Sequence, residues 1–145
     1  MSKALIICTT RKGETEKIGN LIAEGIRFEG GEAVIKRSGD IKKETELEGF
    51  DAVVMGSATY HGDMLPGMKT LLFMGEKAAL AGVVGASFGA FGWSGEAPDR
   101  IYDTMKHIFE MEMVSGPLRL KSSTIGGGTQ MAQDYGREIA KKMEA

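Results

Sequence analysis

The chain has 145 residues, 18 of them Lys or Arg and 20 Asp or Glu, for a formal net charge of −2. A single domain of that length buries about two-thirds of its unfolded surface, so it needs no disulfide or structural metal to fold. The absence of a basic excess argues against a nucleic-acid binder, and the one cysteine, Cys8, excludes a disulfide framework or a Cys-based zinc or iron–sulfur site. Hydrophobic residues at 42% and charged residues at 26% are ordinary for a globular protein. No apolar run approaches the roughly 20 residues of a membrane span. Lys3 leads straight into a strand-like run without a cleavage pattern, so the sequence reads as cytoplasmic with no signal peptide.

In chain order, Ala4–Cys8 is a continuous apolar run, the mark of a parallel strand covered on both faces. A polar loop follows, and then a helix with Ile18, Leu21, Ile22, Gly25 and Ile26 on one face and Thr15 as its N-cap. Ala33–Ile35 is a second strand between charges. Residues 38–50 are polar, with room for a short helical turn. Ala52–Met55 is a buried strand ending at Gly56-Ser57, and Pro66 opens a helix with Met68, Leu71 and Leu72 inside. Val83–Phe88 is the fourth strand. Ser94 is placed to cap a helix with Ile101, Met105 and Ile108 inward. Val114–Leu120 is the fifth strand, and a last helix from Thr129 turns Ala132, Tyr135, Ile139 and Met143 to one side. Gly126-Gly127-Gly128 is the one low-complexity spot, and it reads as loop.

Strands alternating with helices predict an α/β fold, a parallel sheet with helices on both faces. The first, third and fourth strands are apolar throughout and belong in the centre. The second and fifth carry charges and belong at the edges, which gives five strands in the order 2-1-3-4-5 in one domain spanning residues 1–145. Ligands of such sheets bind beyond the carboxyl ends of the strands, at the switch between the first and third. Three loops reach that place.

The first, Thr9-Thr10-Arg11-Lys12-Gly13-Glu14-Thr15, joins a buried strand to a helix N-terminus, where amides and hydroxyls suit an anion. It is neither a Walker loop nor a pattern of three spaced glycines. On its residues alone it reads equally as a phosphate site or a capped turn, and Arg11 and Lys12 read as solvated. The second loop, Ser57-Ala58-Thr59-Tyr60-His61-Gly62-Asp63, and the third, Ser87-Phe88-Gly89-Ala90-Phe91-Gly92-Trp93-Ser94-Gly95, set aromatics among glycines. Aromatic faces beside free backbone groups suit a planar, polar heterocycle. Phe91 reads equally as the close of the core; Tyr60 and Trp93 read as ligand contacts. Cys8 and the inward methionines Met68, Met105 and Met143 read as core, and His107 as surface.

These loops resemble the flavodoxin family, above all the flavodoxin-like C-terminal module of flavodiiron proteins. The resemblance rests on Gly56–Tyr60 with Met64-Leu65-Pro66, on Phe88-Gly89 and Phe91–Ala97, and more loosely on Pro117–Lys121. It covers essentially the whole chain and implies a flavodoxin-like three-layer sandwich that binds FMN. Thr10, Gly13 and Thr15 fall on the family's phosphate pattern. Tyr60, His61 and Gly62 fall beside flavin N5, and Ser87 through Trp93 on the other flavin loop. Lys12 replaces a usual Thr or Ser, His61 a frequent Trp, and the chain lacks the strong acidity of many flavodoxins. His61 and His107 cannot supply a diiron ligand cluster. The expected function is an FMN electron carrier working with redox partner proteins, as a monomer or weak homodimer. The alternative is an FMN-dependent NAD(P)H or quinone oxidoreductase, and a receiver module is disfavoured because no acidic pair follows the first strand.

Overall fold

A computed structural model describes residues 2–91, 95–123 and 125–144. Its elements are β1 (Lys3–Thr9), α1 (Glu14–Phe28), β2 (Glu32–Arg37), β3 (Ala52–Ser57), β4 (Thr59–Tyr60), β5 (Asp63–Met64), α2 (Pro66–Gly75), β6 (Val84–Ala90), α3 (Glu96–His107), β7 (Glu112–Met113), β8 (Leu118–Leu120) and α4 (Gly128–Glu144). Short 3-10 turns occupy Ser38–Asp40 and Glu44–Leu47, within the polar stretch expected to hold a helical turn.

The main sheet runs β2-β1-β3-β6-β7, with β8 also paired to β6, and every pairing in it is parallel. Strand order therefore follows the polarity of the strands, with the buried β1, β3 and β6 in the middle. The fifth strand differs from the sequence expectation of one run over 114–120. It is two pieces, β7 beside Val84-Gly85 and β8 beside Phe88–Ala90. Between them Pro117 has no amide to donate, and side chains take over from the ladder. The Tyr102 hydroxyl donates to the Val114 carbonyl at 2.7 Å, and the Tyr135 hydroxyl to the Gly116 carbonyl at 2.7 Å.

Alternation along the strands divides the core in two. Ala4, Ile6, Cys8, Val54, Ala86 and Phe88 face α1 and α4, whereas Leu5, Ile7, Val53 and Met55 face α2 and α3. On the first face α1 and α4 meet backbone to backbone. A Cβ on Gly25 would run into the Gln133 carbonyl, and one on Gly136 into the Ile22 carbonyl. This is why Gly25 lies on the apolar face of its helix.

Two helix details correct the sequence reading. Thr15 does not cap α1; Gly13, at φ 87°, takes the N-cap position, and Thr15 is buried in the first turn. Ile108 lies just past the end of α3 and is 60% exposed, while Phe109 turns inward in its place. The expected cap at Ser94 lies outside the described residues.

Candidate functional site

The carboxyl ends of β1, β3 and β6 open on a cleft of about 280 Å³. Thr10, Arg11, Lys12, Glu14 and Thr15 line it from the first loop, Ala58, Thr59 and Tyr60 from the second, and Ala90 and Phe91 from the third; Lys121, just after β8, lines it too. Its volume is near the lower end of small-molecule clefts, roughly 300–1,000 Å³. The three loops singled out in the sequence thus meet at the switch point between β1 and β3.

In the first loop, the Thr10 hydroxyl oxygen accepts the Gly13 amide at 2.8 Å, and the left-handed Gly13 turns the chain into α1. The first-turn amides of a helix have no partner within it, and they carry the positive end of its dipole. Thr15 is fully buried, and its Oγ1 is the one buried side-chain N or O atom without a hydrogen-bond partner among the described residues. A buried hydroxyl left unpaired costs stability unless something else fills its needs. The Glu14 carboxylate accepts the Ser123 amide, which fastens the segment after β8 to the start of α1. That amide holds the Glu14 carboxyl below the usual carboxylate range, against a smaller opposing effect of burial.

The second loop is a hairpin that the sequence reading missed. Thr59 pairs with Met64 and Tyr60 with Asp63, and the two turn residues, His61 and Gly62, have φ of 52° and 74°. Positive φ at both central positions is what a type I′ turn requires, and Gly62 meets it without strain. The hairpin is moored on α3, where the Thr59 hydroxyl oxygen accepts the Ala97 amide at 3.0 Å. Asp63 lies 2.6 Å from Lys69 and 3.4 Å from Arg100. Its charge is therefore answered within the protein. The Lys69 hydrogen bond, with help from the Met64 amide, keeps the Asp63 carboxyl below the ordinary range.

A folded-state pKa below the unfolded one means that ionised Asp63 stabilises the fold above the ordinary carboxylate range. That contribution disappears as pH falls through the folded value. Wild type and Asp63→Asn should therefore differ in stability near neutral pH and converge between about pH 5 and pH 2 in urea melts. A gap that persists unchanged at the acid end would remove the ion pairs from the account of this hairpin.

Rings gather where the first two loops meet. The Arg11 guanidinium stands 3.9 Å from the centre of the Tyr60 ring, and the His61 ring meets Tyr60 edge-on at 4.1 Å between centroids. Arg11, which reads as solvated on its own but was placed with the rest of its loop among the expected cofactor-binding residues, covers one face of the Tyr60 ring.

Several residues assigned to the site have side chains committed elsewhere. Phe88 is fully buried, with its ring against Gly19 and Gly56, because strand alternation turns it toward α1. Ser57 and Ser87 are fully buried too. The Ser57 hydroxyl oxygen accepts the Leu65 amide at 3.0 Å, and the Ser87 hydroxyl donates to the Pro98 carbonyl at 2.8 Å. A Cβ at Gly89 would meet the Ser57 carbonyl, so glycine there serves close strand packing. Thr9 donates to the Ser38 hydroxyl at 2.8 Å, and Gly13, His61 and Gly62 shape turns rather than line the cleft. Gly92 and Trp93 lie outside the described residues. Cys8 is core as expected, and burial pushes its thiol up to about 12.

Ala90 lines the cleft from within the stretch Ser87 through Trp93 that the resemblance put on the flavin loop. Lys121 was not assigned to the site, although it ends the looser resemblance; it enters because β8 pairs beside β6 and brings the following residue to the cleft.

Residues 5–112 match the flavodoxin domain family. The chain belongs to the flavodoxin family. Members of this family bind FMN. An archaeal flavodoxin structure superposes with a TM-score of 0.92 at 28% identity, covering 99% of both chains. The flavodiiron protein of Giardia intestinalis superposes at 0.88 with 21% identity, over 99% of this chain and 36% of that one. Among curated sequences, the rubredoxin-oxygen oxidoreductase of Megalodesulfovibrio gigas is 24% identical over 99% of this chain, and the type A flavoprotein of Rhodobacter capsulatus 29% identical over 65%. The chain spans 36% and 21% of the length of those two relatives. The flavodoxin cleft of this chain is lined both by Thr15, whose buried hydroxyl has no partner among the described residues, and by Tyr60, whose ring lies under the Arg11 guanidinium.

Proposed function

We propose that the chain holds FMN non-covalently in this cleft and passes electrons between redox partner proteins as a carrier. The observation that supports this most is the unpaired, fully buried Thr15 hydroxyl at the α1 N-terminus, in a cleft at the switch point of a flavodoxin-family sheet. Thr15 and the first-turn amides hold the phosphate. Tyr60, Phe91 and, from the resemblance, Trp93 flank the ring system. The loop at His61-Gly62 presents backbone to the ring edge. FMN, when bound, supplies the redox chemistry, and the protein binds it, orients it and sets its surroundings. No described helix is long and apolar enough to cross a membrane.

Purified protein reconstituted with FMN and freed of excess should carry one flavin per chain by absorbance. It should take up electrons from dithionite in a reductive titration, yet oxidise NADH or NADPH only slowly in steady state, with or without a quinone. Fast pyridine-nucleotide turnover would replace the carrier with the reductase alternative. Failure to retain FMN at all would end both readings.

A further inference from the structure

Of the exposed aromatic rings among the described residues, Phe28 and Tyr60 each lie under a guanidinium, Arg137 at 4.9 Å and Arg11 at 3.9 Å. Phe73, the most exposed at 70%, has no such cover. It stands on α2 beside a hollow of about 220 Å³ that Met64, Lys69, Leu72, Phe73 itself, Glu76 and Thr104 line. Met64 and Leu72 are buried and give the hollow its apolar part. Ile108, also exposed, follows Thr104 by one turn on the same side of α3. Burying a ring so exposed is favourable in proportion to the apolar area removed from water.

The hollow carries opposite charges two helical turns apart, Lys69 and Glu76. Lys69 lies 2.6 Å from Asp63, which Arg100 also approaches at 3.4 Å, so two cations share one carboxylate at that end. Glu76 has no ion-pair partner among the described residues. On the other flank of Phe73, Glu44 and Lys77 line a second hollow and balance each other. We infer that this face of α2 docks a second copy of the chain about a two-fold axis, each Phe73 seated in the other copy's hollow. An axis crossing α2 at Leu72-Phe73 is midway between Lys69 and Glu76, so it sets Lys69 of each copy opposite Glu76 of the other. A two-fold interface must be complementary to itself. Here ring and hollow, and positive and negative ends, share one face and are exchanged by one rotation. The hollow and the flavin cleft have no lining residue in common, so the pairing makes no use of the cleft. The inference stands apart from the flavin reading.

Sedimentation velocity on the purified protein tests this, from about 1 µM to about 500 µM, where a small interface associates. Wild type should pass from monomer to dimer within that range. Phe73→Ser should weaken association about tenfold or more, as the loss of a central aromatic anchor does. Its thermal midpoint should stay near that of wild type, because the ring is exposed. Glu76→Lys and Lys69→Glu each set like charges opposite one another at both contacts, and each alone should weaken the dimer about threefold to tenfold at low salt. Mixed in equal amounts, the two variants should recover association as a heterodimer, since every Lys at these positions then faces a Glu. Wild type that stays monomeric throughout would overturn the inference, and so would Phe73→Ser that dimerises like wild type. A mixture no tighter than either charge variant alone would overturn the two-fold arrangement, as would open-ended assemblies larger than a dimer.

Discussion

Truncating Phe88 to alanine is expected to destabilise the protein by about 3–5 kcal/mol, the cost of removing a fully buried aromatic side chain. The ring fills space that two glycines leave open: a Cβ at Gly56 would lie inside it, and one at Gly19 would lie 3.3 Å from its tip. Neither glycine can move in to close the cavity, because one is in a central strand and the other in α1. Thermal melts of the apoprotein should show a fall of about 10 °C or more. Phe88→Leu should recover much of the loss, and its ratio of FMN to riboflavin affinity should match wild type. An alanine variant of undiminished stability that no longer binds FMN would move the ring from the core to the cofactor.

Thr15→Val should act with opposite signs on two properties. In the apoprotein it replaces a buried hydroxyl that has no partner with a methyl of nearly the same shape. Leaving such a group unsatisfied costs about 1–3 kcal/mol, so the apoprotein should gain up to that amount in urea unfolding. Toward FMN the same change removes a hydrogen bond to a charged oxygen, and affinity should fall by about 1.5–3 kcal/mol, roughly tenfold or more. Riboflavin, which lacks the phosphate, should bind the two forms alike. A variant that loses stability without losing FMN would make Thr15 an ordinary helix residue and take the main support from the proposed site.

Both predictions concern residues that the sequence reading had assigned to the cofactor, and the structure separates them. Phe88 stands three residues before Phe91 in a stretch rich in aromatics and glycine, and nothing local distinguishes a ring that faces a helix from one that faces a cleft. The distinction is set by the phase and the end of β6: Phe88 shares with Ala86 the face that packs on α1, and Ala90 and Phe91 reach the opening because they stand at the carboxyl end of the strand. Asp63 shows the same dependence on distant partners. In sequence it is an acid beside a glycine turn; in the fold it is held by Lys69 from α2 and Arg100 from α3.

The sequence by itself determined the α/β architecture, the strand order and the three loops that meet at the switch point. Each follows from a property carried by contiguous residues: continuous apolar runs for strands covered on both faces, charged runs for edges, and glycine with hydroxyl residues at a strand-to-helix turn. The tertiary structure alone decided which side chains enter the cleft. It also decided that the fifth strand divides around Pro117, and that Lys121 lines the cleft. These depend on pairing between residues far apart in the chain, such as Leu118 with Phe88 and Glu14 with Ser123, and local hydropathy holds no record of such pairings.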